Sequence, residues 1–207
     1  MLEARLKKQN GMFNDRLSVQ HILSCSVYNQ GCDGGYAYLA LKFGNEVELF
    51  PESCMPYRST TGSCYDRCDR NSLRTVYKIR DYKYIGGSYG KCNEYDIMKE
   101  ILENGPIVVS FEPDYAFMTY KTGIYHSVGN TWLTRGERKP IWTKVDHSVV
   151  LVGWGYDEEK QTKYWILQNS WGAGWGENGY FKMIRGIDHL GIESICESGI
   201  PYAVPIN

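Results

Sequence analysis

Apolar and polar residues follow a helical period in the early part of the chain and a strand-like one later. Met1, Leu2 and Leu6 stand at helical spacing, with Gly11 as a C-terminal stop. Leu17-Ser18 opens a short helix running to Cys25, and Ser18 is its N-cap because a serine hydroxyl can accept a first-turn N–H. Residues 36 to 43 predict a second helix, ended by Gly44. Pro51, Pro56, Gly62 and Gly86-Gly87 punctuate residues 45 to 92, which predicts loops and short strands there. Asn93 then caps a clearer helix with Ile97, Met98, Ile101 and Leu102 on one face and Gly105-Pro106 at its end. The runs 107 to 111, 148 to 154, 163 to 168 and 180 to 184 predict strands. Helices first and strands second imply an α+β protein of two lobes split near residue 90, with a cleft between them as the natural place for a site.

Composition narrows this picture. A chain of 207 residues, 43% apolar, can build one large domain or two small lobes. The formal charge of −1 and the lack of a Lys/Arg block give no electrostatic case for nucleic acid or an anionic membrane, so neither is expected as a partner. No apolar run approaches the ~20 residues that span a bilayer. Five of the seven cysteines (Cys25, Cys32, Cys54, Cys64 and Cys68) crowd into a Gly- and Ser-rich stretch, a density typical of oxidising compartments. A zinc site is not expected, because Cys64-x-x-x-Cys68 has neither a second pair nor nearby histidines to close a tetrahedron. The opening Met-Leu-Glu-Ala-Arg-Leu-Lys-Lys has no apolar core of a signal peptide. With the cysteines arguing for secretion, Met1 is expected to be an internal methionine of a longer precursor.

The candidate chemistry lies late in the chain. Residues 169 to 181 read Asn-Ser-Trp-Gly-Ala-Gly-Trp-Gly-Glu-Asn-Gly-Tyr-Phe, and His147 precedes them in Val-Asp-His-Ser-Val-Val-Leu-Val-Gly-Trp-Gly. Either piece alone reads as a turn or a structural histidine. Together, in this order, they suit an imidazole that works as acid and base while an asparagine side chain orients it. The pairing resembles the papain-like cysteine peptidases. Gly31-Cys32-Asp33-Gly34-Gly35-Tyr36 is similar to the family's Gly-Cys-x-Gly-Gly segment, where glycine lets a peptide approach the backbone closely. Within the family, three stretches resemble the dipeptidyl peptidase I (cathepsin C) subgroup. They are the opening Met-Leu-Glu-Ala-Arg-Leu, residues 84 to 94, and Lys121-Thr-Gly-Ile-Tyr-His126. The likeness covers nearly all of residues 1 to 196.

The resemblance implies a two-lobe papain-like fold, with a helical, disulfide-rich and incomplete left lobe over 1–90 and a β-barrel-like right lobe over 91–207. It implies a cysteine-type peptidase that removes dipeptides from N-termini through an acyl-thioester. His147 would pair with the thiolate and then protonate the leaving amine, Asn169 would accept the second ring N–H, and Trp171 would cover that bond, while Trp175 packs the lobe. Gly34, Gly35 and Asp146 are implied in substrate binding. None of the seven cysteines stands in the family's Cys-Gly-Ser-Cys-Trp/Tyr setting, so the nucleophile and an oxyanion-hole glutamine are expected just before Met1. The chain alone is then expected to be inactive.

Further expectations come from the same source. A chloride ion is implied, held by the Tyr36 N–H and the hydroxyls of Tyr38 and Tyr84. By analogy Cys25 pairs with Cys64 and Cys54 with Cys68; Cys32 is orphaned, and Cys92 and Cys196 are thiols rather than nucleophiles. A peptide or protein substrate, an upstream exclusion domain and a homotetramer in the complete enzyme are implied partners. Residues 130 to 144, with Arg135, Arg138 and Lys139, are a candidate cut site or a solvated loop. A lysosome, another acidic vesicle or secretion is the implied location. An inactive peptide-binding homologue, a general papain-like endopeptidase and a disulfide-stabilised interaction module are the alternatives.

Overall fold

Ser18 caps a helix through a side-chain bond to the His21 N–H at 2.9 Å, and its own hydroxyl reaches the Met55 carbonyl. The computed structural model describes residues 1–64, 68–127 and 145–206. Its helices are α1 (Leu2–Gln9), α2 (Val19–Cys25), α3 (Ala37–Glu46) and α4 (Glu94–Asn104). Its strands are β1 (Thr75–Tyr84), β2 (Ile107–Phe111), β3 (Ile124–Tyr125), β4 (His147–Asp157), β5 (Thr162–Gln168), β6 (Tyr180–Ile184) and β7 (Ile195–Pro205). The expected cut-site segment, residues 130 to 144, lies outside the described residues. Among the described residues no helix is long and apolar enough to cross a membrane.

The chain divides into two compact units. One comprises Leu2–Lys83 with Ser198–Asn207; the other comprises Tyr84–Glu197 with Met1. The division thus falls at residue 84 rather than near 90, and the last ten residues return to the first unit. Two contacts inside that unit account for the return. The fully buried Arg5 donates to the Gly199 carbonyl at 3.2 Å. Gly199 also sits so close to Ile79 that a Cβ there would lie 2.7 Å from the Ile79 side chain.

In the first unit Gly44 does not end α3 but lies inside it, because Ile79 and Leu49 pack where its side chain would be. A Cβ on Gly44 would stand 2.5 Å from Ile79 Cδ1 and 3.0 Å from Leu49 Cδ1. The helix accepts a residue of poor propensity to allow that approach. Polar side chains hold the loops: Gln20, on the buried face of α2, accepts the Arg58 N–H and donates to the Thr60 carbonyl and Ser24 hydroxyl. Disulfides close Cys25 to Cys64 and Cys54 to Cys68, and Cys32 is exposed outside any disulfide.

The second unit is a sheet with α4 packed against it. Its strand order is β7-β2-β4-β5-β6-β3, with the β7–β2, β2–β4, β4–β5 and β5–β6 pairs antiparallel and β3 parallel to β6. Asn93 caps α4 by accepting the Asp96 N–H at 3.0 Å, and the acidic first turn suits the positive end of the helix. Ile97 and Ile101 point into the core, whereas Leu102 is 69% exposed. One residue past Ile101 the helix has turned about 100°, which takes Leu102 off the apolar face. Phe111, Phe117, Trp165, Leu167, Phe181 and Met183 are fully buried in one cluster. At its edge the buried Glu193 carboxylate accepts Trp165 Nε1–H at 2.9 Å and the Asp188 N–H at 3.1 Å.

Candidate active site

His147 is the first residue of β4 and faces Phe111 across the β2–β4 ladder. Asn169 follows the last residue of β5, anchored by its backbone N–H to the Gly179 carbonyl at 2.9 Å. Strand pairing of Val150 with Gln168 therefore brings the two side chains together, although 22 residues separate them. His147 Nε2 lies 2.9 Å from Asn169 Oδ1.

The asparagine decides the tautomer. Its Oδ1 also accepts the Ser170 backbone N–H at 2.8 Å, and a main-chain N–H can only donate. A flipped amide would set its NH2 against that donor, so Oδ1 faces both partners. His147 Nε2 must then carry the proton, which leaves Nδ1 as the ring atom that can exchange a proton with a thiol and a leaving amine. Asn169 is only 9% exposed, so the bond is formed largely out of water.

Aromatic rings bracket the imidazole. Trp171 stacks on it at 4.9 Å between centroids, and Phe111 meets it edge-on at 5.7 Å. Trp171 in turn leans on Phe117 and Trp175, at 5.8 and 5.0 Å. Trp175 packs against Phe181 and donates its indole N–H to the Met118 carbonyl, consistent with a packing part. Asp146 is exposed, and its N–H continues the ladder to the Phe111 carbonyl at 3.3 Å. The Trp171 part is legible in the motif. Phe111 and the Ser170 N–H are not, because one needs the strand register and the other has no side-chain signature.

The remaining expected residues fall in either unit. Tyr84, in the second unit, meets Tyr89 edge-on at 5.7 Å. In the first unit the loop from 29 to 36 is organised by Asn29, whose Oδ1 accepts the Tyr36 N–H at 2.8 Å. That N–H, expected to face chloride, is thus engaged by Asn29, and the two phenol hydroxyls remain as the implied donors. Tyr38 packs on Tyr82 at 5.1 Å. Gly34 has φ +115° with open space where a side chain would go, while a Cβ on Gly35 would collide with Asn29 Oδ1 at 2.3 Å. Both glycines are exposed; within the loop the Gly34 carbonyl accepts the Gln30 N–H at 2.9 Å and the Gly34 N–H reaches the Gly31 carbonyl at 3.3 Å.

Two other histidines are structural. His21 stacks on Phe50 at 4.2 Å, and burial lowers its pKa to about 4. His189 accepts the Ser127 N–H at 3.0 Å; burial, with His126 adding and Asp114 opposing, lowers it to about 4.

Residues 1–200 match the family model described as papain family cysteine protease. The chain is 40% identical over 197 residues to cathepsin C of Schistosoma mansoni, covering 94% of this chain and 42% of that protein. It is 33% identical over 253 residues to dipeptidyl aminopeptidase 1 of Plasmodium falciparum (isolate 3D7), covering 91% and 36%. The chain therefore spans less than half the length of these relatives. Among solved structures it resembles digestive procathepsin L 3 of Tenebrio molitor, with a TM-score of 0.76 at 26% identity over 95% of this chain and 59% of that one. It also resembles the bromelain protease of Ananas comosus in complex with the E64 inhibitor, with a TM-score of 0.75 at 27% identity over 96% and 83%.

Proposed function

Because the chain belongs to the papain family of cysteine proteases, we propose that it carries the acid–base half of a peptidase that removes dipeptides from N-termini, as the similarity to cathepsin C and dipeptidyl aminopeptidase 1 suggests. The observation that carries this reading is the doubly accepting Asn169 Oδ1, which holds His147 as the Nε2–H tautomer under Trp171. Such a ring can take a thiol proton on Nδ1 and return it to the leaving amine, while an acyl-thioester forms and is hydrolysed. An amide, rather than a carboxylate, orients the ring without adding a charge.

The attacking thiol is assigned to a residue outside these 207. Four cysteines here are closed in disulfides, Cys92 and Cys196 are buried in an apolar core, and Cys32 is an exposed thiol of the glycine loop in the first unit, whereas His147 stands in the second. Gly34 and Gly35 would present main-chain groups to the substrate. Chloride, with the Tyr38 and Tyr84 hydroxyls as its donors, would shape the pocket rather than take part in bond-making. An upstream domain, a tetramer and an acidic, oxidising compartment complete the proposal.

The test compares, on the full-length protein, a dipeptidyl fluorogenic substrate bearing a free amine with its N-acetylated form. Hydrolysis of the free-amine substrate alone is expected. Cleavage of both at similar rates indicates an endopeptidase instead. Thiol-sensitive turnover by the 207-residue chain alone would overturn the assignment of the nucleophile.

A further inference from the structure

We propose that Cys92 and Cys196 are partners in a third disulfide, which ties the start of α4 to β7 inside the second unit. Cys92 directly precedes Asn93, the cap of α4. Cys196 is the second residue of β7 and pairs with Val109 of β2. Both belong to the same buried cluster, at 2% and 1% exposure, which also holds Ile85, Ile97 and Ile192.

A single turn brings them together. The Ile85 N–H donates to the Cys196 carbonyl at 2.9 Å. The next residue, Gly86, has φ +84° and passes so near the other cysteine that a Cβ there would lie 3.1 Å from Cys92 Cα and 2.2 Å from the Lys91 carbonyl. Adjacent residues of one chain segment thus touch the backbones of both cysteines. The thiols themselves meet: burial raises the pKa of Cys196 well above the usual thiol range, and a hydrogen bond with the Cys92 side chain raises it further. Two buried thiols in contact, in a chain whose other unit already closes two disulfides, form a pair that an oxidising compartment would join.

The chemistry balances with a low-molecular-weight disulfide such as oxidised glutathione as oxidant. One cysteine thiolate attacks a sulfur of the oxidant and releases a thiolate. The second cysteine, once deprotonated, attacks the mixed disulfide and releases the other. Two protons and two electrons pass from the protein to the oxidant, which leaves as two thiols. Burial and the raised Cys196 pKa disfavour the thiolate in the folded state, so the bond should close during folding rather than after it. The loop it would close runs from residue 92 to residue 196, and long loops are where a cross-link constrains the unfolded chain most.

The experiment is a non-reducing peptide map of the full-length protein, folded in a mixed reduced and oxidised glutathione buffer and alkylated after denaturation. The Cys25–Cys64 link serves as the internal sign that the chain has folded. A cross-linked peptide joining Cys92 to Cys196 is expected, with neither residue alkylated. In Cys196→Ser, Cys92 should become fully alkylated. Both cysteines alkylated beside an intact Cys25–Cys64 link overturns the proposal, as does Cys92 remaining blocked in Cys196→Ser, which would place its partner elsewhere.

Discussion

Between Val19 and Cys68 the first unit closes two disulfides and ties its loops with buried amides such as Gln20. The second unit has no closed disulfide among the described residues, and instead buries Phe111, Phe117, Trp165, Leu167, Phe181 and Met183 completely in one cluster. Each arrangement fits what its unit must present. The glycine loop from 31 to 36 exposes backbone, so it buries little and is held by cross-links and by Asn29. His147 and Asn169 need a fixed geometry and little water, and a packed sheet with aromatic walls supplies both.

The contrast makes predictions that can break it. The largest effect belongs to the ring itself. His147→Ala in the full-length protein should lower kcat/KM by roughly 10²–10⁴-fold, the usual worth of a positioned acid–base group. Because the ring is half-exposed at the end of a strand, the urea midpoint should hardly move; a large drop would make His147 a structural residue.

Next is the cluster behind it. Phe117 touches Phe111, Trp171, Trp175 and Phe181. Phe117→Ala should destabilise the second unit by about 3–5 kcal/mol. Hydrogen exchange should show the loosening at residues 147 to 171 and leave residues 18 to 26 unchanged. Uniform loosening of both regions would mean the units do not differ as described.

A smaller effect is expected from the staples. Replacing Cys54 and Cys68 by serine should remove roughly 2–4 kcal/mol, read as a lower urea midpoint. The added exchange should concentrate near Pro51 and Cys64, with the imidazole's surroundings unaffected.

The most spread-out effect is that of pH, because each unit buries one neutral histidine. His21 and His189 titrate near 4 when folded and near 6.5 when unfolded. Between those values the unfolded chain binds more protons, so stability falls as pH drops from about 6.5 to about 4. His21→Phe should flatten the first unit's share of that slope and leave the second unit's intact, as unit-resolved hydrogen exchange would report.

Local signals made much of this legible. Ser18 and Asn93 mark helix starts because a cap is a contact with the next turn, and the apolar runs around 107, 148, 163 and 180 fall within the strands observed. β7 was not legible: Glu197 and Ser198 are buried polar residues and Pro201 interrupts the run, so no apolar alternation announces it. β1 was hidden in the same way by Lys78, Arg80 and Lys83, and by Asp81 at φ +53°. His147 and Asn169 stood out through a motif. Phe111 beside the ring and the Ser170 N–H that sets the amide emerge only once strands are registered.

Gly44 carries a consequence for anyone wishing to make this protein more heat-resistant. A glycine inside a helix, here in the last turn of α3, is an obvious engineering target, since alanine within a helix ordinarily stabilises by about 1 kcal/mol. Here the replacement methyl would press into Ile79 and Leu49, both nearly fully buried, and overfilling a packed interior costs about 1–3 kcal/mol. Redesign guided by helix preference would choose this position early and lose stability by doing so. The way to improve it is to trim Ile79 to valine first and then add the methyl, so that the two changes succeed together where the alanine alone fails.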